Sequence, residues 1–255
     1  MTDVGDAYAR SAALWRSGAE PVYARMADAL LGVSPIELTG AAVLDVGAGT
    51  GVAARAALAR GADRAVALDL ADAMLRLVGA DVQPVVADIG RTPFGDGAFD
   101  LVVAAFCLGH VPDPSAAVRE LRRVGGALVV SAFAPGPAHP AKAVVDAVLG
   151  DVGFRTPPWY QHLKSVLEPQ VDDPESLATL VRAGGFDDVR VQLIDVDAGL
   201  ASAEAVVDWR FGMAHLAPFV AGLDPETRER ARAAAVRAVT GMQPVVVRVL
   251  ALSAT

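Results

Sequence analysis

From residue 43 onward, short runs of aliphatic and β-branched residues alternate with alanine-rich stretches whose apolar positions recur at helical spacing. This alternation is typical of an α/β protein whose sheet is mainly parallel. We therefore expect an α/β fold with helices on both faces of the sheet. The pattern predicts seven strands, at residues 42–46, 64–68, 82–87, 101–105, 127–132, 189–194 and 245–252.

Pairs of aspartate and proline mark where three helices between these strands begin. The aspartate can accept hydrogen bonds from the free amides of a first helical turn, and the proline already has the backbone angle that this turn needs. A glycine follows each stretch at the point where the helix is expected to end. The pairs are Asp113-Pro114, Asp173-Pro174 and Asp224-Pro225, and the glycines are Gly125, Gly184 and Gly241.

Three segments lack the alternation, namely residues 1–40, 135–170 and 198–242. They contain every tryptophan and tyrosine of the chain and three of its four histidines. We predict one domain over residues 1–255, in which residues 41–134 form the core and residues 1–40 a helical N-terminal segment. The other two segments are expected to form a helical lid over a substrate pocket. The alternative is that these segments are packing helices that cover the faces of the sheet.

Composition and charge exclude several classes of partner. The chain has 255 residues, of which 53% are hydrophobic and 20% charged, and its formal net charge is −8. An acidic surface repels a phosphate backbone, so a nucleic-acid partner is not expected. The apolar runs are much shorter than the roughly 20 residues that span a bilayer, and the N-terminus lacks the pattern of a secretory signal. With Cys107 as its single cysteine, the chain is predicted to be cytoplasmic, without a membrane partner.

The most informative stretch is a buried strand that runs into a glycine-rich turn, from Val43 to Gly51, with the sequence Val-Leu-Asp-Val-Gly-Ala-Gly-Thr-Gly. Glycines at such a turn allow left-handed backbone angles and let a ligand approach the main chain. Because position 52 is Val52, the spacing is Gly-x-Gly-x-Gly. This spacing disfavours the dinucleotide fingerprint Gly-x-Gly-x-x-Gly, and with it an NAD-dependent oxidoreductase.

Acidic residues lie at the ends of the first three predicted strands. Asp45 comes just before the turn, Asp69 ends the second strand, and Asp88 follows the third. The carboxyl ends of neighbouring parallel strands open on one crevice, where such sheets bind their ligands. A carboxylate there can accept hydrogen bonds from both hydroxyls of a ribose. The three acids therefore predict one ligand crevice, with Asp69 suited to a ribose.

With this constellation the sequence resembles the class I S-adenosylmethionine-dependent methyltransferases, and among them the small-molecule group similar to the ubiquinone and menaquinone biosynthesis methyltransferases. Val43 to Gly51 resembles that family's first motif, and Phe99-Asp100-Leu101-Val102-Val103 resembles its fourth strand. The resemblance implies a Rossmann-like, seven-stranded, mostly parallel sheet with an antiparallel last strand. It also implies S-adenosylmethionine as cofactor and methyl transfer that leaves S-adenosylhomocysteine, with residues 41–134 as the cofactor-binding core.

The resemblance also assigns the cofactor contacts along the strand ends. Asp69 would bind the ribose, and Asp88 with Ile89 would bind the edge of the adenine. The glycine turn and the acid before it would hold the aminocarboxypropyl end of the cofactor. The residues expected there are Asp45, Gly47, Ala48, Gly49 and Gly51.

Further contacts are expected around the adenine and the methionine end of the cofactor. Leu70 and Met74 would supply apolar faces for the adenine, with packing in the core of the next helix as the alternative. Ala105 would contact the cofactor through its backbone carbonyl. Tyr8 and Trp15, from the N-terminal segment, would close over the methionine end.

His110 is the candidate catalytic base. It follows the fourth strand, whose end borders the methyl group in the family that the sequence resembles, and an imidazole has a suitable proton affinity. A structural or substrate-orienting role for His110 is the alternative. His162 and His215, in the lid segments, rank lower, with surface or packing roles as their alternative. No cluster of histidines, cysteines and acids has metal-ligand spacing, so we expect a metal-independent reaction.

These features predict methyl transfer to a small, apolar or aromatic metabolite. The methylated atom can be oxygen, nitrogen or carbon, and the expected pathway is one of secondary metabolism. The lid segments supply aromatic and aliphatic residues and few charges. One alternative is a protein that keeps the cofactor but catalyses a non-methylating step such as cyclisation. Another is a cofactor-binding protein without catalysis. Both a monomer and a homodimer are compatible with the sequence.

Overall fold

Seven strands form a single sheet in the computed structural model, which describes residues 4–255. They are β1 (Ala42–Val46), β2 (Arg64–Asp69), β3 (Gln83–Val86), β4 (Phe99–Ala105), β5 (Gly125–Phe133), β6 (Arg190–Asp197) and β7 (Val246–Ala254). Their order across the sheet is β3-β2-β1-β4-β5-β7-β6. The first five are paired in parallel, and β7 is antiparallel to both of its neighbours. The predicted seven-stranded α/β fold with an antiparallel last strand is confirmed.

Helices lie on both faces of the sheet and beyond its carboxyl edge. They are α1 (Val4–Leu14), α2 (Glu20–Leu31), α3 (Val52–Ala59), α4 (Asp72–Leu75), α5 (Pro114–Val124), α6 (Pro140–Asp151), α7 (Pro158–His162), α8 (Pro174–Ala183), α9 (Ala203–Phe211), α10 (Ala217–Gly222) and α11 (Pro225–Val239). Short π-helical turns lie at Trp15–Ala19 and Leu163–Leu167, and 3₁₀ turns at Leu108–His110 and Glu168–Gln170. Across residues 4–255, none of these helices combines the length and the apolar character that crossing a bilayer demands.

The predicted helix starts are confirmed. Asp113, Asp173 and Asp224 each accept a hydrogen bond from an amide in the first turn of α5, α8 and α11. Gly125 and Gly184 directly follow α5 and α8.

The interior strand β1 shows how the sheet is buried on both faces. Leu44 lies between Val66 of β2 and Val102 of β4. Because successive side chains of a strand point to opposite faces, Leu44 belongs to the core on one face and Val43 to the core on the other. This packing fixes the register of the strands, and the register brings the ends of β1, β2 and β4 to one edge.

The N-terminal segment both covers the sheet and reaches the carboxyl edge. In α2, Ala27, Leu30 and Leu31 join a buried cluster with Val43 of the sheet. This part of the segment is a packing helix, which is the alternative that the sequence left open. By contrast, α1 contacts α4, which follows β2.

The helices of residues 198–242 are inserted between β6 and β7. These strands are antiparallel partners, and the amide of Ala198 donates to the carbonyl of Val245 at 2.9 Å, where the insertion begins and ends. Helices α9, α10 and α11 pack with α6 in a cluster of their own that includes Leu149, Phe211 and Ala235. The insertion therefore forms a helical layer whose two ends are held together where they join β6 and β7 of the sheet.

Candidate functional site

A cavity of about 1200 Å³ lies at the carboxyl edge of the sheet, between the strand ends and the helical layer. Small-molecule sites have volumes of roughly 300 to 1,000 Å³, so this cavity has room for a cofactor and a second ligand. Every residue that the sequence predicted for the cofactor or for catalysis lines the cavity, except Gly51. In the part of the chain that the structure describes, no group of three histidine, cysteine or acidic side chains is placed to hold a metal ion.

The glycine turn directly follows β1 and forms part of the cavity wall. Gly47 and Gly49 have left-handed backbone angles, with φ of 60° and 55°. A Cβ atom at Gly47 would come within 2.4 Å of the Cβ of Cys107, whereas one at Gly49 would project into open space. The backbone at Gly49 is therefore accessible to a ligand. Gly51 lies behind this wall, where it caps α3 and packs against Val78.

Two carboxylates hold the turn and the helix that follows it. Asp69 accepts hydrogen bonds from the amides of Gly49 at 2.7 Å and Ala71 at 2.8 Å, one on each oxygen. Asp45 accepts one from the amide of Ala54 at 2.9 Å, in the first turn of α3, where amides lack helical partners. Burial raises the pKa of Asp69, and it raises the pKa of Asp45 to about 7. Each carboxylate oxygen can accept a second hydrogen bond, so Asp69 keeps capacity for a ligand's hydroxyls.

Residues after β2 and β3 line another part of the cavity. Leu70 is 56% exposed, whereas Met74 is fully buried. Met74 lines the cavity and also packs in a buried cluster, and its contact with adenine stays a prediction. Asp88 is exposed and accepts a hydrogen bond from the amide of Gly90 at 2.7 Å, and the neighbouring Ile89 is buried.

His110 and Tyr8 form a hydrogen-bonded pair at the cavity. A bond of 3.0 Å joins Nε2 of His110 to Oη of Tyr8, and the two rings meet edge to face. Nδ1 of His110 is buried and has no hydrogen-bond partner within residues 4–255. Burial, together with the positive charge of Lys164, lowers the pKa of His110 to about 4, so the imidazole is neutral at neutral pH. Sequence analysis predicted both residues for the site but not their contact.

A row of aromatic rings, here called the aromatic wall, consists of Trp15, Tyr23, Phe106 and Phe133, all of which line the cavity. Successive ring centroids along this row are 4.7, 5.6 and 4.6 Å apart. Phe106, directly after β4, has a φ of 56°, a left-handed angle that is rare for a bulky residue and typical of functional sites. Sequence analysis missed Tyr23, Phe106 and Phe133, because isolated aromatic residues form no motif.

Helix α7 and the helical layer contribute the remaining lining, here called the lid wall, with Trp159, His162, His215 and Phe219 among its residues. The two lid histidines differ in environment. His162 is exposed, whereas His215 is 4% exposed and its ring stacks on that of Tyr160. Of the two, His215 is therefore the one whose orientation is fixed by its surroundings.

The wall around the glycine turn fits S-adenosylmethionine. Thr50 is buried and lines the cavity, but its Oγ1 has no hydrogen-bond partner in the described part of the chain. Because an unpaired buried hydroxyl is costly, a polar ligand group is expected against it. The amino-acid end of the cofactor is such a group, and the open space at Gly49 admits it to the backbone. Sequence analysis identified the turn but not Thr50. Its hydroxyl-bearing side chain between two glycines was the feature that could have indicated a ligand contact.

Comparisons with known proteins agree with this geometry. The family described as a methyltransferase domain matches residues 44–130. A demethylmenaquinone methyltransferase of Clavibacter sepedonicus is 33% identical over 204 residues, which cover 73% of this chain and 80% of the relative.

Two solved structures share the fold. The phosphoethanolamine N-methyltransferase 2 of Haemonchus contortus, in complex with phosphomonomethylethanolamine and S-adenosylhomocysteine, has a TM-score of 0.56 at 17% identity, covering 90% of this chain and 52% of that one. The cyclase SpnF has a TM-score of 0.56 at 22% identity, covering 91% of this chain and 81% of that one. At such low identities these similarities show the fold alone.

The sheet order, the glycine turn and the matching domain together define the class: this is a class I S-adenosylmethionine-dependent methyltransferase. Within that class, the chain belongs to the family of the ubiquinone and menaquinone biosynthesis methyltransferases. It is therefore an enzyme, with S-adenosylmethionine as its cofactor. The resemblance inferred from the sequence is confirmed, and the alternative of a cofactor-binding protein without catalysis does not hold.

Proposed function

We propose that this enzyme methylates a small, largely apolar aromatic acceptor, held between the glycine turn and the lid wall. The observation that carries the proposal is the aromatic wall, because its rings line the same cavity as the glycine turn. An aromatic acceptor gains from edge-to-face or offset contacts with such rings, in addition to the burial of its apolar surface.

When bound, the cofactor supplies an electrophilic methyl group on a positively charged sulfur. In the proposed arrangement Asp69 accepts hydrogen bonds from the ribose hydroxyls, while Thr50 and the backbone of Gly49 hold the amino-acid end. Asp88 and Ile89 contact the adenine. Asp45 acts indirectly, because its bond to the amide of Ala54 fixes the start of α3 behind the turn.

The remaining predicted contacts surround the cofactor from other sides. Leu70 and Met74 flank the adenine, and Ala105 contacts the cofactor through its carbonyl. Trp15 lies over the methionine end, beside Tyr8, with ring centroids 5.5 Å apart. Enclosure of this kind excludes water and aligns the acceptor with the methyl carbon, and such positioning can lower a barrier by roughly 7 to 11 kcal/mol.

His110 accepts the proton that a hydroxyl or carbon acceptor loses during methylation. Its neutral imidazole has the protonation state that a base requires. Because Nδ1 is buried, the proton enters at Nε2, which is bonded to Oη of Tyr8. Tyr8 gives its proton to Nε2 and takes the acceptor's proton in exchange, so the pair ends as imidazolium and neutral phenol.

The relatives support an oxygen-bearing ring as the acceptor. The relative from Clavibacter sepedonicus is named for a quinone, demethylmenaquinone. We extend that chemistry to this chain as an aromatic ring that carries hydroxyl or carbonyl oxygens. An aromatic intermediate of secondary metabolism, the setting predicted from the sequence, has the same chemistry.

The test is an anaerobic assay of the purified protein with S-adenosylmethionine and a naphthalene diol. We expect S-adenosylhomocysteine and methylated diol in equal amounts, measured by liquid chromatography and mass spectrometry. The exposed Asp81 offers a control, since Asp81→Ala should keep the activity that Asp69→Ala loses. Conversion of the diol without S-adenosylhomocysteine would indicate a non-methylating step. The absence of both products would overturn the proposed acceptor class.

A further inference from the structure

His215 is the buried histidine of the lid wall, in the loop between α9 and α10. Its ring is 4% exposed and stacks on Tyr160, with 3.8 Å between ring centroids and 4° between ring planes. The residue nevertheless lines the cavity. One face of the imidazole is therefore fixed by stacking, while part of the ring is left for a ligand.

The neighbouring Arg210 sets the tautomer of this imidazole. Nη2 of Arg210 lies 3.5 Å from Nε2 of His215, and it is held by Asp146 at 2.7 Å. A guanidinium can only donate hydrogen bonds, so Nε2 must act as the acceptor and the ring proton must reside on Nδ1. Burial and the nearby cations, of which Arg210 has the largest effect, lower the pKa of His215 to about 3. The ring is therefore neutral, with one N–H donor.

That donor has no partner in the protein. Within residues 4–255, no group forms a hydrogen bond to Nδ1 of His215, in contrast to Nε2. Tyr160 covers one face of the ring and Arg210 approaches its Nε2 edge, so these contacts leave the Nδ1 edge and the other face uncovered. A hydrogen-bond donor on a largely apolar wall selects for a ligand oxygen.

The charges around His215 favour an electron-rich oxygen. The ammonium of Lys142 lies 5.4 Å from the centre of the Phe133 ring, and Phe133 belongs to the aromatic wall. Lys142 has no ion-pair partner among the residues that the structure describes. Lys164 is paired with Glu168 and Arg210 with Asp146, so the uncompensated positive charge near His215 is that of Lys142. This side of the cavity therefore stabilises partial or full negative charge on a ligand.

We propose that His215 binds the methyl acceptor by donating Nδ1–H to a hydroxyl, carbonyl or ionised oxygen of its ring, an oxygen that is not itself methylated. This contact sets which ring position meets the methyl group. The inference rests on the proposed function and deepens it, because it requires an acceptor with a second oxygen, remote from the reacting atom.

The test compares two acceptors that differ in one oxygen, a naphthalene diol and the corresponding naphthol, in the wild type and two variants. His215→Phe keeps a ring that can stack on Tyr160 but has no donor. His215→Asn keeps a donor near the position of Nδ1 but has no ring. Calorimetric binding of each acceptor is measured anaerobically in the presence of S-adenosylhomocysteine, and turnover is measured separately.

We expect the wild type to bind the diol about tenfold more tightly than the naphthol, which is the scale of one hydrogen bond. His215→Phe should lose this preference and raise KM for the diol, with unchanged affinity for S-adenosylhomocysteine. His215→Asn should restore part of the preference. The control Gln161→Ala, at an exposed position next to Tyr160, should behave as the wild type, and thermal unfolding verifies that each variant is folded.

The outcomes separate the two proposals. Equal weakening of both acceptors by His215→Phe, or no weakening of either, would show that His215 only packs. A wild type that does not prefer the diol, or that binds neither acceptor, would also overturn the role of His215. Selective binding of the diol without formation of S-adenosylhomocysteine would overturn the proposed function and leave the His215 contact in place.

Discussion

The glycine-turn wall and the lid wall of the cavity are built by different means. At the glycine turn, the main chain itself takes part, as in the bond from the amide of Gly49 to Asp69. In the lid wall, side chains hold one another, as in the stack of Tyr160 on His215 beside Arg210. Under the proposed function, recognition of the cofactor follows from the topology of the sheet. Recognition of the acceptor would then depend on lid side chains that can change without disturbing that topology.

The largest effect is expected where the two walls meet, at His110. His110→Ala should lower kcat by about 10² to 10⁴, the range for loss of a general base, while cofactor affinity stays the same. Tyr8→Phe should also lower kcat, because it removes the hydroxyl that is hydrogen-bonded to Nε2 of His110. Steady-state kinetics and calorimetry check both expectations. Full turnover by His110→Ala would remove this residue from the mechanism.

The next effect concerns the glycine-turn wall alone. Asp69→Ala removes the acceptor of the Gly49 amide together with the proposed ribose contacts, so affinity for S-adenosylmethionine should fall about a hundredfold. Affinity for the acceptor should change far less if the two walls are independent. Calorimetry measures both affinities, with Asp81→Ala as the control variant. An unchanged cofactor affinity would show that the ribose lies elsewhere.

A third change tests how rigid the glycine turn is. Gly47→Ala forces a Cβ to within 2.4 Å of the Cβ of Cys107. We expect a loss of about 1 to 3 kcal/mol in the free energy of unfolding, measured with urea. Gly97→Ala is the matched control, because Gly97 has a similar φ of 62° but open space around its Cβ position. Equal losses at both positions would mean that backbone angle, not close packing, accounts for the effect.

The last prediction tests the comparison through the pH dependence of stability. Burial lowers the pKa of His215 to about 3 from 6.5, so the unfolded chain binds a proton here more readily than the folded one. The stability due to a neutral His215 is fully present above about pH 6.5 and is lost as the pH falls towards 3.

The measurement is urea unfolding of the wild type and His215→Phe between these pH values. The wild type should lose more stability on acidification than the variant. Asp45, whose pKa is raised to about 7, has the opposite pH dependence but is common to both proteins, so it cancels in the difference. Parallel pH profiles would contradict the expectation.

Sequence predicted the fold and the glycine-turn wall because both depend on local pattern. Asp45 and Asp69 could be assigned to one crevice from their positions at the ends of parallel strands. The contact between Tyr8 and His110 joins positions 102 residues apart, and no local pattern reports such a pairing. Gly51 was predicted to contact the ligand because it is the last glycine of the turn. In the structure it lies behind the cavity wall, at the start of α3.

The lid wall was the least predictable part for the same reason. Its segments could be recognised by their aromatic residues, but the contacts between their side chains could not be predicted. The stack of Tyr160 on His215 and the pair formed by Arg210 and Asp146 link separate helices and loops. Only the packing of the helical layer determines which of these side chains meet.

The joined ends of the helical layer have a consequence for engineering. Because Ala198 and Val245 are hydrogen-bonded where the insertion leaves and re-enters the sheet, the helices between them form a cassette with fixed ends. The entropic cost of lengthening a closed segment grows only slowly with its length, so closure itself limits an exchange little. The packing of the inserted helices on α6 must be preserved in such an exchange. Under the proposed function, grafting the equivalent segment of another family member onto β6 and β7, with matched α6 contacts, would change the acceptor and keep the cofactor site.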